Sequence, residues 1–513
     1  MAITGEHAQD VLARLQSWMD AGSDVALIVI METQGGAVRA PGALLAVTET
    51  DSIGYISGGC IDEDVKLQAR QAIVDRKPRA LRYGQGSPFV DLPLPCGGAI
   101  EVLVLPRPNP GVISQALERL MRREALLLAV SCSLGVSIFE ADRPVASDEF
   151  IFHYAPKLRV RIAGRGADAL ALASIVDGAG YDTHLQLLDT DDIEAAQAAG
   201  LRSVQPLSTP SELTSTYDDA WTAFVLLFHD QDWEVPLLQQ ALAGPAFYIG
   251  AVGSQRTHER RVRALIEAET NAADIDRIHG PIGLVSSLRD ASMLAVSTLA
   301  EIIECFPGKA RAAPVKTACI LLAAGASSRF SDGDKLLADL DGLPVLERAG
   351  ASINADEGVL RLAVIAPIDD ARRHWLRKSG WRVVENPDTR EGQSTSLRAG
   401  LKALETEQDV EQVVILLGDM PNVPANHVQS LIRCADIPDI SAIMSQSEGV
   451  LTPPALFKRH HFKALGALEG DRGAKALFLG LQTGTLSVDL SPDLAVDVDT
   501  VEDLNRLRET VNA

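Results

Sequence analysis

The residues best suited to chemistry lie in Leu321-Leu-Ala-Ala-Gly-Ala-Ser-Ser-Arg-Phe-Ser-Asp-Gly-Asp-Lys335, following directly from the apolar run Ala318 to Ala323. A short buried strand would deliver the chain to Gly325, where small residues over Leu322, Ala323, Ala324 and Gly325 let backbone N–H groups approach phosphate oxygens. Ser327 and Ser328 add hydroxyl donors, and Arg329 and Lys335 add positive charge. The stretch reads as a nucleotide-triphosphate loop. It is not G-x-x-x-x-G-K-[ST], because Lys335 lies ten residues beyond Gly325 and Leu336 follows it, so a Walker-type ATPase is not expected.

Two carboxylates complement that loop. Val413-Val-Ile-Leu-Leu-Gly418-Asp419 is a buried strand ending in an acid, and Asp497-Val-Asp499-Thr supplies another. Placed opposite a phosphate loop, Asp419 and Asp499 would give Mg²⁺ hard oxygen ligands while leaving positions for phosphate and water. Asp497 shares a strand face with Asp499, so the pattern leaves the choice between them open. Asn386-Pro-Asp-Thr-Arg-Glu-Gly392-Gln-Ser394 reads as a loop feeding a helix N-terminus, where Ser394 can meet an anionic or polar ligand, with Arg398 one turn in.

The first half offers softer chemistry. Cys60 follows Gly58-Gly59 at the start of an expected helix running to about Asp75, where the helix dipole favours thiolate, and Cys96 precedes Gly97-Gly98. The alternative for both is a small buried hydrophobe. Leu158 to Ala169 carries a strand, then Gly164-Arg-Gly166-Ala-Asp-Ala169, then a helix. Asp189, twenty residues after Ala169, stands where a ribose hydroxyl could be held. This is a Rossmann-like βαβ unit, with or without a bound dinucleotide. Further strand ends lead to His229 and to Gly253, Ser254 and Arg256, candidates for a pocket wall, with Arg256 suited to a phosphate or carboxylate.

Positioning these groups takes several cores. At ~150 residues per domain, 513 residues suggest about three. The pattern divides into an α+β domain over 1–150, a Rossmann-like domain over 151–306, a small basic linker over 307–315 and a second Rossmann-like α/β domain over 316–513. No run of about eighteen uncharged apolar residues occurs, and the first thirty residues carry acids rather than a basic start and apolar block, so neither a membrane span nor export is expected. A formal charge of −22 opposes a general nucleic-acid surface. The six cysteines are scattered without a C-x-x-C pair, which fits a reducing cytoplasm.

The second half resembles the MobA/MocA-like nucleotidyltransferases in its Leu-Ala-Ala-Gly loop, Gly392-Gln-Ser-Thr-Ser-Leu-Arg-Ala-Gly400, Gly418-Asp-Met-Pro421, Gly470-Asp-Arg-Gly-Ala474 and Asp497-Val-Asp-Thr500. Leu-Ala-Ala-Gly together with Gly-Asp-Met-Pro looks like the molybdenum cofactor cytidylyltransferases, which implies CTP as substrate. The first half is similar to the XdhC/CoxI accessory factors of xanthine and carbon monoxide dehydrogenases through Gly58-Gly-Cys60, Cys96-Gly-Gly98, the Rossmann loop, Tyr248-Ile-Gly-x-x-Gly-Ser254 and Gly280-Pro-Ile-Gly-Leu284.

The resemblance implies that the first half binds molybdenum cofactor and passes it to a molybdenum hydroxylase apo-enzyme. It implies that the second half joins molybdopterin to CTP with Mg²⁺, releasing pyrophosphate. Arg329, Lys335 and Asp419 would be the catalytic groups. Three alternatives stay open: a non-catalytic cofactor chaperone, a nucleotidyltransferase with another phosphate acceptor, and an NAD-dependent oxidoreductase in the first half. Whether the chain forms a homodimer is also left open.

Overall fold

The structure is a computed structural model. It describes residues 6–35, 39–87, 97–211, 218–228, 230–308, 315–326, 330–331, 333–353, 358–367 and 369–511. Two compact units emerge, one from the described residues of 1–128, 135–138 and 153–310, the other from those of 129–134, 139–152 and 311–513.

The first unit opens with the helix Ala8–Asp20 and the strand Val25–Gln34, whose first seven residues are all buried. Such a strand must be covered on both faces. It is central in an antiparallel sheet ordered Ser52–Gly54, Leu44–Thr48, Val25–Gln34, Ala99–Pro106, Arg79–Gly84. Ala26, Ile28 and Ile30 share a core with Val65, Ala69 and Ala72 of the helix Asp62–Asp75. The apolar stretch over 53–57 suggests a strand through Ser57, but the strand ends at Gly54 and the Ile56 and Ser57 N–H groups turn onto the Asp62 carboxylate.

The same unit holds a parallel six-stranded sheet ordered Val204–Pro206, Asp182–Leu187, Arg159–Gly164, Thr222–Leu227, Tyr248–Ala251, Ile278–His279. In chain order this is 3-2-1-4-5-6, the Rossmann order. Gly164 is required by strand packing, since a Cβ there would lie 2.7 Å from the Leu227 Cβ.

The second unit is built on a seven-stranded sheet ordered Arg382–Glu385, Leu360–Ile365, Thr317–Leu322, Gln412–Leu417, Val450–Lys458, Ala442–Ser447, Thr485–Asp489. The first four strands are parallel, and Val450–Lys458 runs against its neighbours. The chain leaves Thr317–Leu322 toward one edge and returns on its other side as Gln412–Leu417. Between those strands lies the topological switch point, where open α/β sheets leave a crevice at the strands' carboxyl ends. At the far edge, Val145 N–H donates to the Ser487 carbonyl (2.9 Å) and Asp489 N–H to the Val145 carbonyl (2.8 Å), covering part of an otherwise open strand. The α/β class with Rossmann-like sheets is thus as the patterning implied. Among the described residues no helix is long and apolar enough to cross a membrane.

Candidate functional site

Leu322 and Leu417 are paired neighbours at the carboxyl ends of the two strands flanking the switch point. Beyond them the chain opens into Ala323-Ala324-Gly325 on one side and Gly418-Asp419 on the other, tied by the Gly418 N–H donating to the Leu322 carbonyl at 2.9 Å. Val498 N–H donates to the Asp419 carbonyl at 2.8 Å, which brings the Asp497–Asp499 segment alongside.

Lys335 is the centre of this arrangement. Its Nζ lies 2.7 Å from Asp419 Oδ2 and 2.8 Å from Asp499 Oδ1. Burial alone would lower the pKa of this ammonium, but the two carboxylates outweigh that and hold it above the ordinary lysine value. Asp497 is pushed up, first by burial and then by the Asp419 and Asp499 charges. Two oxygens converging on one cationic point fit a hard divalent ion. No group of three or more His, Cys, Asp or Glu side chains among the described residues forms a closed cage. An ion held there would take its remaining ligands from phosphate and water, the usual arrangement for Mg²⁺.

A cleft of about 280 Å³ stands over the pair, lined by Leu322, Ala324, Gly325, Lys335, Asp419, Thr389, Gln393, Ser396 and Asp471 among others. A Cβ added at Gly325 would meet nothing within 4 Å, so its backbone faces open space. The opposite wall depends on a tight crossing: Gly392 has φ +107° and its Cβ would lie 2.4 Å from the Gly470 carbonyl carbon. Just beyond it, the helix Gln393–Ala403 begins. Asn386 Nδ2 donates to Thr395 Oγ1 (2.9 Å) and Ser396 Oγ (3.0 Å), fixing that first turn.

The structure thus brings Leu322, Ala324, Gly325, Lys335, Asp419 and Asp499 together. Ala323 and Gly418 are their chain neighbours. Ser394 is 1% exposed and its N–H donates to the Gly470 carbonyl at 3.1 Å, while Ser396 lines the cleft. Arg398 turns to the Gly466 and Leu468 carbonyls instead. Ser327, Ser328 and Arg329 lie outside the described residues. Sequence reading missed Arg372, a buried arginine bonded to the 323–325 loop, to which no spacing rule points; Asn386 and Asp471 stood inside quoted motifs but were given no role of their own.

In the first unit, the Asp62 carboxylate accepts the N–H groups of Ile56 (3.1 Å), Ser57 (3.4 Å) and Gly59 (3.1 Å) and the Ser57 hydroxyl. This turn presents Cys60 exposed, two residues before the helix begins at Asp62. Cys96 and His229 lie outside the described residues. Gly166 has φ +70°, and its N–H donates to Asp192 Oδ2 at 2.5 Å, so a carboxylate of the chain already takes a donor that a pyrophosphate would use. Asp189 stands at the N-cap position of the helix Thr190–Ala198. Gly253 has φ +143°, Ser254 caps the helix Gln255–Glu267 by accepting from Thr257 N–H (3.2 Å), and Arg256 is exposed. A polar cluster unseen in the sequence surrounds Glu301, which accepts from Tyr248 Oη (2.8 Å) and Gly283 N–H (2.5 Å) and faces His279 Nδ1 (3.1 Å). Burial works to raise the Glu301 pKa, and these partners override it to hold the carboxyl below the usual range.

Comparison with known proteins follows the same division. Residues 18–84 match the model of the XdhC and CoxI family, residues 160–302 the XdhC Rossmann domain, and residues 319–484 the MobA-like NTP transferase domain. The molybdenum cofactor insertion chaperone PaoD of Escherichia coli is 31% identical over 304 residues, covering 58% of this chain and 89% of that protein. The purine catabolism protein PucB of Bacillus subtilis is 30% identical over 134 residues, 26% of this chain and 63% of that one. A crystal structure of a xanthine dehydrogenase from Bacillus halodurans aligns over 57% of this chain and 95% of its own, with 19% identity and a TM-score of 0.48.

Proposed function

The chain belongs to the XdhC and CoxI family and carries a MobA-like NTP transferase domain, and on that premise we propose that it makes and hands on a nucleotide form of molybdenum cofactor. The transferase domain, proposed as 316–513, joins CTP to molybdopterin and releases pyrophosphate. The first half, proposed as domains 1–150 and 151–306 with a linker at 307–315, holds the product for a molybdenum hydroxylase apo-enzyme.

The observation that carries the reading is the Lys335 ammonium held between Asp419 and Asp499 at the floor of the switch-point cleft. The reaction is an in-line attack by the terminal phosphate of molybdopterin on the α-phosphorus of CTP, so the chain's task is positioning and charge neutralisation. Backbone amides from Ala323 to Gly325 hold the triphosphate, with Leu322, Gly418 and Ser396 shaping the cleft around it. Ser394 supports that wall from behind, and Arg329 and Ser327 extend the loop's donors. Lys335 neutralises phosphate charge as it accumulates. Asp419 and Asp499 hold Mg²⁺, which when bound supplies Lewis-acid stabilisation of the phosphate oxygens. Cys60, with Cys96, is the proposed soft contact to the cofactor in the first half. Gly253, Ser254 and Arg256 offer polar groups to the cofactor's phosphate.

The insertion chaperone among the relatives supports the handing-on role and also supports a second reading, a chain that only binds cofactor. An NAD-dependent oxidoreductase is disfavoured by the Gly166 to Asp192 contact, which opposes a pyrophosphate over Gly164 and Gly166 with ribose at Asp189. A reducing cytoplasm and the absence of nucleic-acid partners belong to the same proposal, and a homodimer is compatible with it.

The test is pyrophosphate release by the purified protein with Mg²⁺ and molybdenum-loaded molybdopterin, comparing CTP, GTP and ATP. CTP-selective turnover is expected. Cofactor binding with no nucleotide consumed would hand the case to the chaperone reading, and preference for GTP would refute the cytidylyl assignment. Asp419→Ala should reduce turnover by on the order of 10²–10³ with the fold retained.

A further inference from the structure

Arg372 is 4% exposed, sits in the first turn of the helix Asp370–Lys378, and is absent from the cleft wall. Its guanidinium is nevertheless spent on the phosphate loop. Nη1 donates to the Ala323 carbonyl at 2.7 Å and to the Gly325 carbonyl at 3.0 Å. Nε and Nη2 reach the two oxygens of Asp334, each at 2.7 Å, in the forked geometry that arginine alone provides. Asp369 adds a further carboxylate contact, with Oδ2 3.1 Å from Nε. One side chain therefore clamps the start of the loop, at 323–325, to its end, at 334.

Two consequences follow from bond geometry. In a trans peptide the C=O and the next N–H point in opposite directions. Carbonyls 323 and 325 turned down onto Arg372 therefore aim the N–H groups of Ala324 and Ala326 away from it, on the side where Ala324 and Gly325 meet the cleft. At the other end, the clamped Asp334 accepts the Leu336 N–H at 3.0 Å, closing a turn around Lys335 just where that side chain departs toward Asp419 and Asp499. Without the clamp, both the amides and the ammonium lose their common reference.

We infer that Arg372 is the positioning residue for triphosphate recognition, acting through the peptide planes at 323–326 and through Asp334 on Lys335. The inference rests on the transferase reading. It is a positioning residue and not a catalytic one, since Arg372 is not itself among the residues lining the cleft and acts through the Gly325 backbone that is.

The discriminating variant is Arg372→Lys in the full chain, which keeps the charge and loses the fork. KM for CTP should rise about tenfold, with KM for molybdopterin unchanged, the size expected when charge-assisted hydrogen bonds that orient a site are lost. Asp334→Asn should move KM for CTP in the same direction, and combining it with Arg372→Gln should give less than the product of the single effects, because both break one network. A purely structural role would reduce stability and the fraction of active protein while leaving KM for CTP in place. Amide hydrogen exchange at 323–326 and 334–337, measured without nucleotide, should accelerate in Arg372→Gln and Arg372→Lys alike. A folded Arg372→Lys variant with wild-type KM for CTP overturns the inference alone. Wild-type protein that consumes no nucleotide overturns the transferase reading, and the inference with it.

Discussion

Replacing Lys335 by methionine leaves Asp419 and Asp499 converging on a point with no ammonium between them. At 2.7 and 2.8 Å, and with an effective dielectric of about 20, each pair is worth about 6 kcal/mol before the cost of desolvating the charges. The Lys335 side chain is 11% exposed, Asp419 22% and Asp499 35%, so solvent screens the second pair more and desolvation consumes much of the first. A net loss of about 2–3 kcal/mol is left, roughly 4–12 °C in the unfolding temperature of a domain of this size. Scanning calorimetry of full-length wild type and Lys335→Met without metal measures it. Repeating the scans in Mg²⁺ supplies the sharper test. The variant should regain stability, up to about 2.7 kcal/mol at a hundredfold excess over its dissociation constant, whereas in wild type an ion must first displace Lys335 and the gain is smaller. A Lys335→Met protein that melts with wild type, or equal Mg²⁺ shifts in both, would refute the idea that these carboxylates form one cation site.

Three further outcomes test other parts of the structure. Gly392→Ala should destabilise the transferase domain by roughly 2–4 kcal/mol, because φ +107° and a Cβ 2.4 Å from Gly470 cannot both be accommodated; chemical denaturation reads it. His427 is 5% exposed and its pKa is lowered to about 4 by burial, with Nε2 2.7 Å from Ser445 Oγ, which itself donates to the Pro454 carbonyl. The unfolded chain then binds more protons between pH ~6.5 and ~4, so stability is lost as pH drops through that window, by up to roughly 3 kcal/mol. His427→Gln should remove that component from a pH series of unfolding midpoints. Thiol labelling of native protein should modify the exposed Cys60, Cys132 and Cys305, and reach the buried Cys319 and Cys434 only after unfolding, as peptide mass mapping would show; burial also pushes the Cys434 thiol up to about 12.

The sequence by itself determined the classes of element and the chemistry of the loops. Apolar runs such as Ala318–Leu322 and Val413–Leu417 must be buried strands, and a glycine-centred turn followed by cations suits an anion, because both are properties of a few consecutive residues. Motif order also carried the two family resemblances, which the comparisons bear out. Convergence was another matter. Lys335 meets Asp419 across 84 residues and Asp499 across 164, and only the crossover topology that sets Thr317–Leu322 beside Gln412–Leu417 makes them neighbours. The same holds for the residues that were missed. Arg372 is 49 positions from Ala323 and 38 from Asp334, and nothing local separates it from Arg373, which pairs with Glu385 near the surface. Ser394 and Ser396 share one short motif, and the start and angle of the helix Gln393–Ala403 decide which faces the cleft. Sequence fixes what a residue can do through short-range sterics and polarity, while long-range packing decides what it is placed against.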